Sequence, residues 1–138
     1  MRSLFSVLFL LAYITSFGQS KILHYTETSG FDHNTRNASL SMFQGIALNE
    51  GFLVTDDLTG DEFTSLANLE QFDVVVFSNT SGNNILDATQ RANFETYISN
   101  GGSYLGIHAA SDTYRHSTAN GSNTGTWDFY AELVGASV

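Results

Sequence analysis

The sequence lacks cysteine and has few basic residues. Its 138 residues contain no Cys, and only five Lys or Arg stand against 14 Asp or Glu, which gives a formal net charge of −9. The lack of cysteine excludes disulfides, a thiolate nucleophile and a cysteine-ligated metal. Because basic side chains are scarce and form no cluster, the composition argues against binding of nucleic acid or of an anionic membrane surface.

Long apolar runs are also scarce, and the one that occurs is at the start of the chain. Residues 4–17 are apolar, follow the positive Arg2 and precede small residues before Lys21. This order predicts a signal peptide over residues 1–20. A membrane anchor is the alternative, but the run is short for a bilayer and lacks a charged stop-transfer flank. We therefore expect an exported domain over residues 21–138, periplasmic or extracellular, without membrane contact after cleavage.

Strand-like and helix-like segments alternate along the remaining chain. Apolar strands are predicted at four places: 21–26, 52–55, 73–78 and the segment before His108. Between these strands the apolar residues recur at helical spacing, and a further helix-like pattern covers 127–134. Helices between apolar strands predict a parallel sheet that is covered on both faces. Because another strand is expected where the sequence stops at Val138, we expect the C-terminal strands of the domain to be missing.

Helix signals fix several details of this prediction. Asn34 is expected to cap the first helix and Gly51 to end it. Its apolar positions are expected to face the sheet: Ala38, Met42, Phe43, Ile46 and Ala47. Asp87 with Gln90 three residues later predicts a capping box at the start of the third helical segment.

The loops that follow the four strands carry most of the polar candidates. In a parallel α/β sheet these loops meet at one edge, where ligands bind. The polar residues that these loops contain include His33, Asp56, Asp57, Asn79, Thr80, His108, Asp112 and His116. This neutral-to-acidic rim suits hydroxyl-rich ligands better than phosphates.

His108 is the most specific candidate. It lies in Gly106-x-His108-x-Ala110, the pattern of a nucleophile elbow with histidine in the nucleophile position. The tight turn needs small residues two before and two after. Histidine there serves as a general acid or base, a metal ligand or a hydrogen-bond donor; a buried structural histidine is the alternative.

His33 follows Gly30 in the first loop and is expected to face His108 across the crevice. With Asp112, these histidines would supply three nitrogen and oxygen ligands, the number that a catalytic zinc needs. Nothing in their spacing is diagnostic, and the sequence requires no cofactor. A divalent metal therefore remains an alternative, and an exposed loop histidine is the alternative for His33.

Four segments together resemble a known family. They read TETSGFDH from Thr26 to His33, DVVVFSNT from Asp73 to Thr80, GGSYLGIHAASDT from Gly101 to Thr113, and WDFYAELVGA from Trp127. They resemble the trehalose-utilisation (ThuA-like) domain, which is similar in fold to class I glutamine amidotransferases, with a flavodoxin-like three-layer sheet. The cysteine of those relatives is replaced here by His108, which excludes glutamine hydrolysis through a thiolate.

The resemblance implies a role in carbohydrate metabolism, on trehalose-type disaccharides or their keto derivatives. We expect His108, His33 and Asp112 to form the catalytic group. Thr26, Asn79 and Thr80 are expected to bind substrate hydroxyls, and Trp127 to supply an apolar wall. A sugar-binding module without activity and a metal-dependent hydrolase are the alternatives.

Overall fold

A four-stranded parallel sheet forms the centre of the structure, a computed structural model that describes residues 18–114 and 127–135. The strand order is β2-β1-β3-β4, and every neighbouring pair is parallel. The strands are β1 (Lys21–Tyr25), β2 (Leu53–Asp57), β3 (Val74–Ser78) and β4 (Ser103–Ile107). This order is flavodoxin-like, and it confirms the predicted α/β class.

Helices connect the strands. They are α1 (Arg36–Glu50), α2 (Leu66–Leu69), α3 (Ala88–Ser99) and α4 (Asp128–Val134), with 3₁₀ turns at Asp61–Thr64 and His108–Asp112. The capping box is present as predicted, since Asp87 accepts from the backbone of Gln90 and the Gln90 side chain accepts from the backbone of Asp87. In the described ranges no helix has the length and apolarity to cross a membrane. The apolar run at 4–17 lies outside those ranges.

Both faces of the sheet are covered. On one face, the rings of Phe77, Phe94 and Tyr130 stack, with centroids 5.4 Å apart for Phe77–Phe94 and 5.6 Å for Phe77–Tyr130. This aromatic core joins the sheet to α2, α3 and α4. On the other face a smaller cluster joins Ile22 and Val76 to Phe43 of α1. The three-layer arrangement is therefore confirmed.

The apolar stripe predicted for α1 is only partly buried. Phe43 is 8% exposed, whereas Met42 and Ile46 are 49% and 42% exposed. Phe43 is the buried residue of α1, so the helix approaches the sheet through a narrow line rather than a broad face. The helix also begins one residue later than predicted, with Thr35 rather than Asn34 as its N-cap.

The carboxyl end of β2 also differs from the expectation. Asp56 and Asp57 belong to β2 itself rather than to the following loop. Asp57 is buried, and its carboxylate is satisfied by hydrogen bonds from three backbone N–H groups, those of Thr59, Gly60 and Glu62. The last strand, β4, is half-exposed, because it is an outer strand of the described sheet.

Tyrosines, most of them buried and Tyr104 partly so, fill much of the larger core. The hydroxyl groups of Tyr104 and Tyr130 lie 2.7 Å apart. Burial raises the pKa of Tyr104 to about 12 and that of Tyr130 further. Because the folded protein holds these groups neutral, their contribution to stability is complete below pH 10 and is lost as the pH rises through the folded pKa.

We predict that Tyr104→Phe reduces the loss of stability at alkaline pH. The free energy of unfolding of the wild type should fall relative to that of the variant by about 1.4 kcal/mol between pH 9 and pH 11, since Tyr104 ionises first in the unfolded chain. Urea unfolding at both pH values measures this difference. Parallel pH profiles for the two proteins would show that Tyr104 does not contribute.

Candidate functional site

His108 occupies a strained position at the end of β4. Its backbone φ is +50°, and the chain continues directly into the 3₁₀ turn His108–Asp112. A left-handed conformation is uncommon for a residue with a side chain and is concentrated at functional sites. A strand, a strained residue and a helical turn in this order form the elbow that the sequence predicted. The side chain of His108 is exposed, so it is not the buried structural histidine of the alternative interpretation.

The small residues around His108 have separate structural reasons. Tyr104 lies two residues earlier in β4, and its hydroxyl would be 2.5 Å from a Cβ on Gly106. Ala110 is buried, and its carbonyl accepts a 2.8 Å hydrogen bond from the Tyr130 hydroxyl. The aromatic core therefore fixes both sides of the elbow.

His33 lies directly against His108. The two imidazole rings meet edge to face, with centroids 4.5 Å apart and an interplanar angle of 87°. They line a cleft of about 280 Å³ together with Ala109, Ser111 and Asp112. The structure thus brings the three predicted catalytic residues to one cleft, at the carboxyl ends of the strands where open α/β sheets bind ligands.

Asn79 connects the two histidine-bearing segments. Its side chain donates a 2.7 Å hydrogen bond to the Thr35 hydroxyl, two residues after His33. Its backbone N–H donates a 3.2 Å hydrogen bond to the carbonyl of Ile107, next to His108. Asn79 also has a positive φ, of 56°. The position predicted to bind substrate therefore holds the walls of the cleft together.

The loop after β3 continues this connection. The Ser81 hydroxyl donates to the carbonyl of Phe31, with an O–O distance of 2.6 Å. The N–H of Gly82 donates to the carbonyl of Asp112 at 3.4 Å. Because a Cβ on Gly82, where φ is +88°, would collide with the backbone of Gly30, only glycine permits this close approach. The loop is thus packed between the segments that carry His33 and His108.

Three other predicted binding residues do not line the cleft of the two histidines. Thr80 is fully buried, and its hydroxyl pairs with that of Thr113 at 2.8 Å. Trp127 is 5% exposed, stacks on Tyr130 and donates to Glu95, so it belongs to the core. Thr26 lines a neighbouring cleft. His116, the remaining histidine of the rim, lies outside the described residues.

A buried network around His24 escaped the sequence interpretation. His24 is fully buried; its Nδ1 lies 2.9 Å from Asp56 and its Nε2 lies 2.8 Å from the Ser39 hydroxyl. Asp56 also forms an ion pair with Arg36 at the start of α1. No local pattern indicates this pair, because the register of the sheet places His24 beside Asp56 on neighbouring strands.

The described residues do not gather a metal-binding group. Within 18–114 and 127–135 no three His, Cys, Asp or Glu side chains are placed to hold a metal ion. His33, His108 and Asp112 share the cleft but do not form the ligand set that their residue types suggested.

The fold and the cleft define a class of protein. It is a flavodoxin-like α/β domain in which an elbow presents a histidine, rather than a cysteine, at the ligand-binding edge of the sheet. The sequence model of the ThuA family, described as trehalose utilisation, matches residues 21–138, and the chain belongs to that family. This membership relates the chain in general terms to trehalose utilisation.

A solved structure of a ThuA-like protein from Bacteroides uniformis supports the fold. It superimposes with a TM-score of 0.64 at 21% sequence identity, and the match covers 89% of this chain. It covers 47% of the other chain, so the present chain spans about half the length of that relative. No curated protein gives a significant match to the sequence.

We predict that the bond between Asn79 and Thr35 maintains the contact between the two histidines. Thr35→Val removes the acceptor hydroxyl, and Asn79→Gly removes the donor while tolerating the positive φ. Both should weaken the nuclear Overhauser effects between the His33 and His108 rings and lower stability by about 1 kcal/mol. Thr35→Ser keeps the hydroxyl and should preserve them. Unchanged ring contacts in both disruptive variants would contradict this role.

We also predict that the elbow depends on the contact of Gly106 with Tyr104. Gly106→Ala should destabilise the protein by about 1–3 kcal/mol, because the new methyl group overlaps the Tyr104 hydroxyl. In a Tyr104→Phe background the cost should be smaller by at least about 0.5 kcal/mol, since contacting residues are not additive. A double-mutant cycle of urea unfolding measures the coupling, and additive values would refute it.

Proposed function

We propose that this chain is an exported carbohydrate-active ThuA domain that binds a trehalose-type disaccharide, or a keto derivative of one, over His33 and His108. The edge-to-face contact of these two rings inside a cleft is the observation that supports the proposal. Imidazole is the side chain best suited to move a proton near neutral pH. A sugar offers hydroxyl groups from which, or to which, such a proton can be transferred.

His108 is the central acid or base in this proposal. The strained elbow holds the ring at the strand end, and the neighbouring ring of His33 limits its rotation. Asp112, on the same turn, lines the cleft and serves to orient the substrate or the histidines. Because the elbow carries an imidazole and not a thiol, the reaction proceeds without the thioester chemistry of a cysteine nucleophile.

A sugar-binding module without turnover is the second candidate function. Binding alone needs only a preformed cleft, and the bonds of Asn79 to Thr35 and to Ile107 hold the walls of this one in place. Both candidates place the sugar in the same cleft. They differ in whether a product forms.

Export is part of the proposal. Arg2, the apolar residues 4–17 and the small residues that follow have the order of a signal peptide. Cleavage before Lys21 would leave β1 as the first element of the mature domain.

We predict that His108→Asn removes sugar binding while preserving the fold. Asparagine tolerates the positive φ at this position, so the variant loses the imidazole while the backbone keeps its conformation. Isothermal titration with trehalose should show at least a tenfold loss of affinity, about 1.4 kcal/mol. Product analysis by chromatography then distinguishes turnover from binding alone.

Two controls define the outcome. Circular dichroism and Tm should be close to those of the wild type in His108→Asn, and mannitol, an open-chain polyol, should give no saturable heat with either protein. Equal trehalose affinity in the wild type and the variant would rule out His108. A wild type that binds neither trehalose nor its 3-keto derivative would refute the proposed function.

A further inference from the structure

A second polar cleft adjoins the cleft of the two histidines. It has a volume of about 490 Å³, within the range of small-molecule sites, and lies where β1 and β2 end and α1 begins. The segment around His33 separates the two clefts, since His33 lines one and its neighbours Asp32 and Asn34 line the other. A ligand that extends across this segment would reach both.

Thr26 lines the second cleft and has a buried hydroxyl without a partner. The residue is 7% exposed, and its hydroxyl is one of three buried side-chain groups in the described residues that make no hydrogen bond. A buried hydroxyl without a partner destabilises a protein, and beside a cleft a ligand or a water molecule can satisfy it. Arg36 Nε is another of the three, and Arg36 lines the same cleft.

The start of α1 leaves polar groups available there. Thr35 is the N-cap, but its side chain makes no capping hydrogen bond, because its hydroxyl accepts instead from Asn79. The first turn contains no acidic residue that would interact with the positive end of the helix dipole. Asn37, in that turn, lines the cleft. An oxygen-rich ligand would therefore meet donors at this end of α1.

The Arg36 guanidinium is held in a fixed place. It pairs with Asp56, whose other carboxylate oxygen lies 2.9 Å from Nδ1 of the fully buried His24. Because Asp56 is already balanced by Arg36 and the cleft also contains Glu27 and Asp32, the site does not favour an anion. The Tyr25 hydroxyl donates to Glu27 at 3.0 Å, and burial raises the pKa of the Glu27 carboxyl. This mixture of carboxyl, amide, hydroxyl and guanidinium groups suits a neutral polyol.

We infer that the second cleft is a further sugar subsite, which receives one ring of a disaccharide while the other ring lies over His33 and His108. This inference rests on the proposed function and adds to it the part of the ligand that the histidines do not contact. Thr26, Asn37 and Arg36 bind the hydroxyl groups of that ring. The subsite selects disaccharides over monosaccharides.

Thr26→Val tests the subsite, because it replaces the unpartnered hydroxyl by a methyl group of the same shape. The variant should raise Tm by a few degrees, since a buried unsatisfied group is removed. It should also weaken trehalose binding about tenfold, whereas the affinity for glucose should not change. Asn37→Ala, an exposed position, should weaken trehalose binding similarly without the gain in Tm.

Ser78→Ala is the matched control. The Ser78 hydroxyl is the third buried group without a partner, but it does not line either cleft. The variant should raise Tm as Thr26→Val does and leave the affinity for both sugars unchanged. Titration calorimetry with trehalose and glucose, alongside thermal unfolding, measures all four proteins.

The outcomes separate the two proposals. If trehalose binding is lost in His108→Asn but unchanged in Thr26→Val and Asn37→Ala, the subsite is wrong while the proposed function stands. Equal losses for trehalose and glucose in Thr26→Val would also overturn the subsite, since a single cleft would then hold either sugar. If the wild type binds no disaccharide, both proposals are wrong.

Discussion

The close packing of the loop after β3 against its two neighbouring loops is the constraint on which the candidate site depends. Gly82 lies so near the backbone of Gly30 that no side chain fits between them. This approach lets Ser81 bond to the loop of His33 while Gly82 bonds to the turn that follows His108. The two histidines contact each other because this third segment fixes both of their supports. Without it, each would lie at the end of an independent loop.

A second constraint acts from beneath the site. The aromatic core places the Tyr104 hydroxyl over Gly106 and bonds the Tyr130 hydroxyl to the carbonyl of Ala110. The elbow is thus attached to buried groups on both sides of His108. Its positive φ is maintained because the surrounding packing determines the path of the chain. The candidate site is positioned by rigid elements, and the exposed imidazole rings are its most accessible part.

Part of the site could be predicted from residue patterns because those patterns are local. The small residues around His108 indicate a tight turn at a strand end, and the parallel-sheet rule brings His33 to the same edge. The partner of His24 could not be predicted in this way. It depends on Asp56, 32 residues away, whose place in β2 is set by the register of the sheet. For the same reason the sequence could place Asn79 at the crevice, but it could not predict the hydrogen bonds of Asn79 to Thr35 and Ile107.

The sequence by itself determined the α/β class, the parallel sheet, the capping box of α3 and the elbow at His108, because each follows from periodicity or from spacing within a few residues. Only the tertiary structure decided which polar residues reach solvent. Thr80 and Trp127 carry the right chemistry for sugar binding, yet they are buried among the side chains of the larger core. A residue is buried by contacts with segments that lie far apart in the chain. Burial therefore depends on how the layers pack together, which no local pattern encodes.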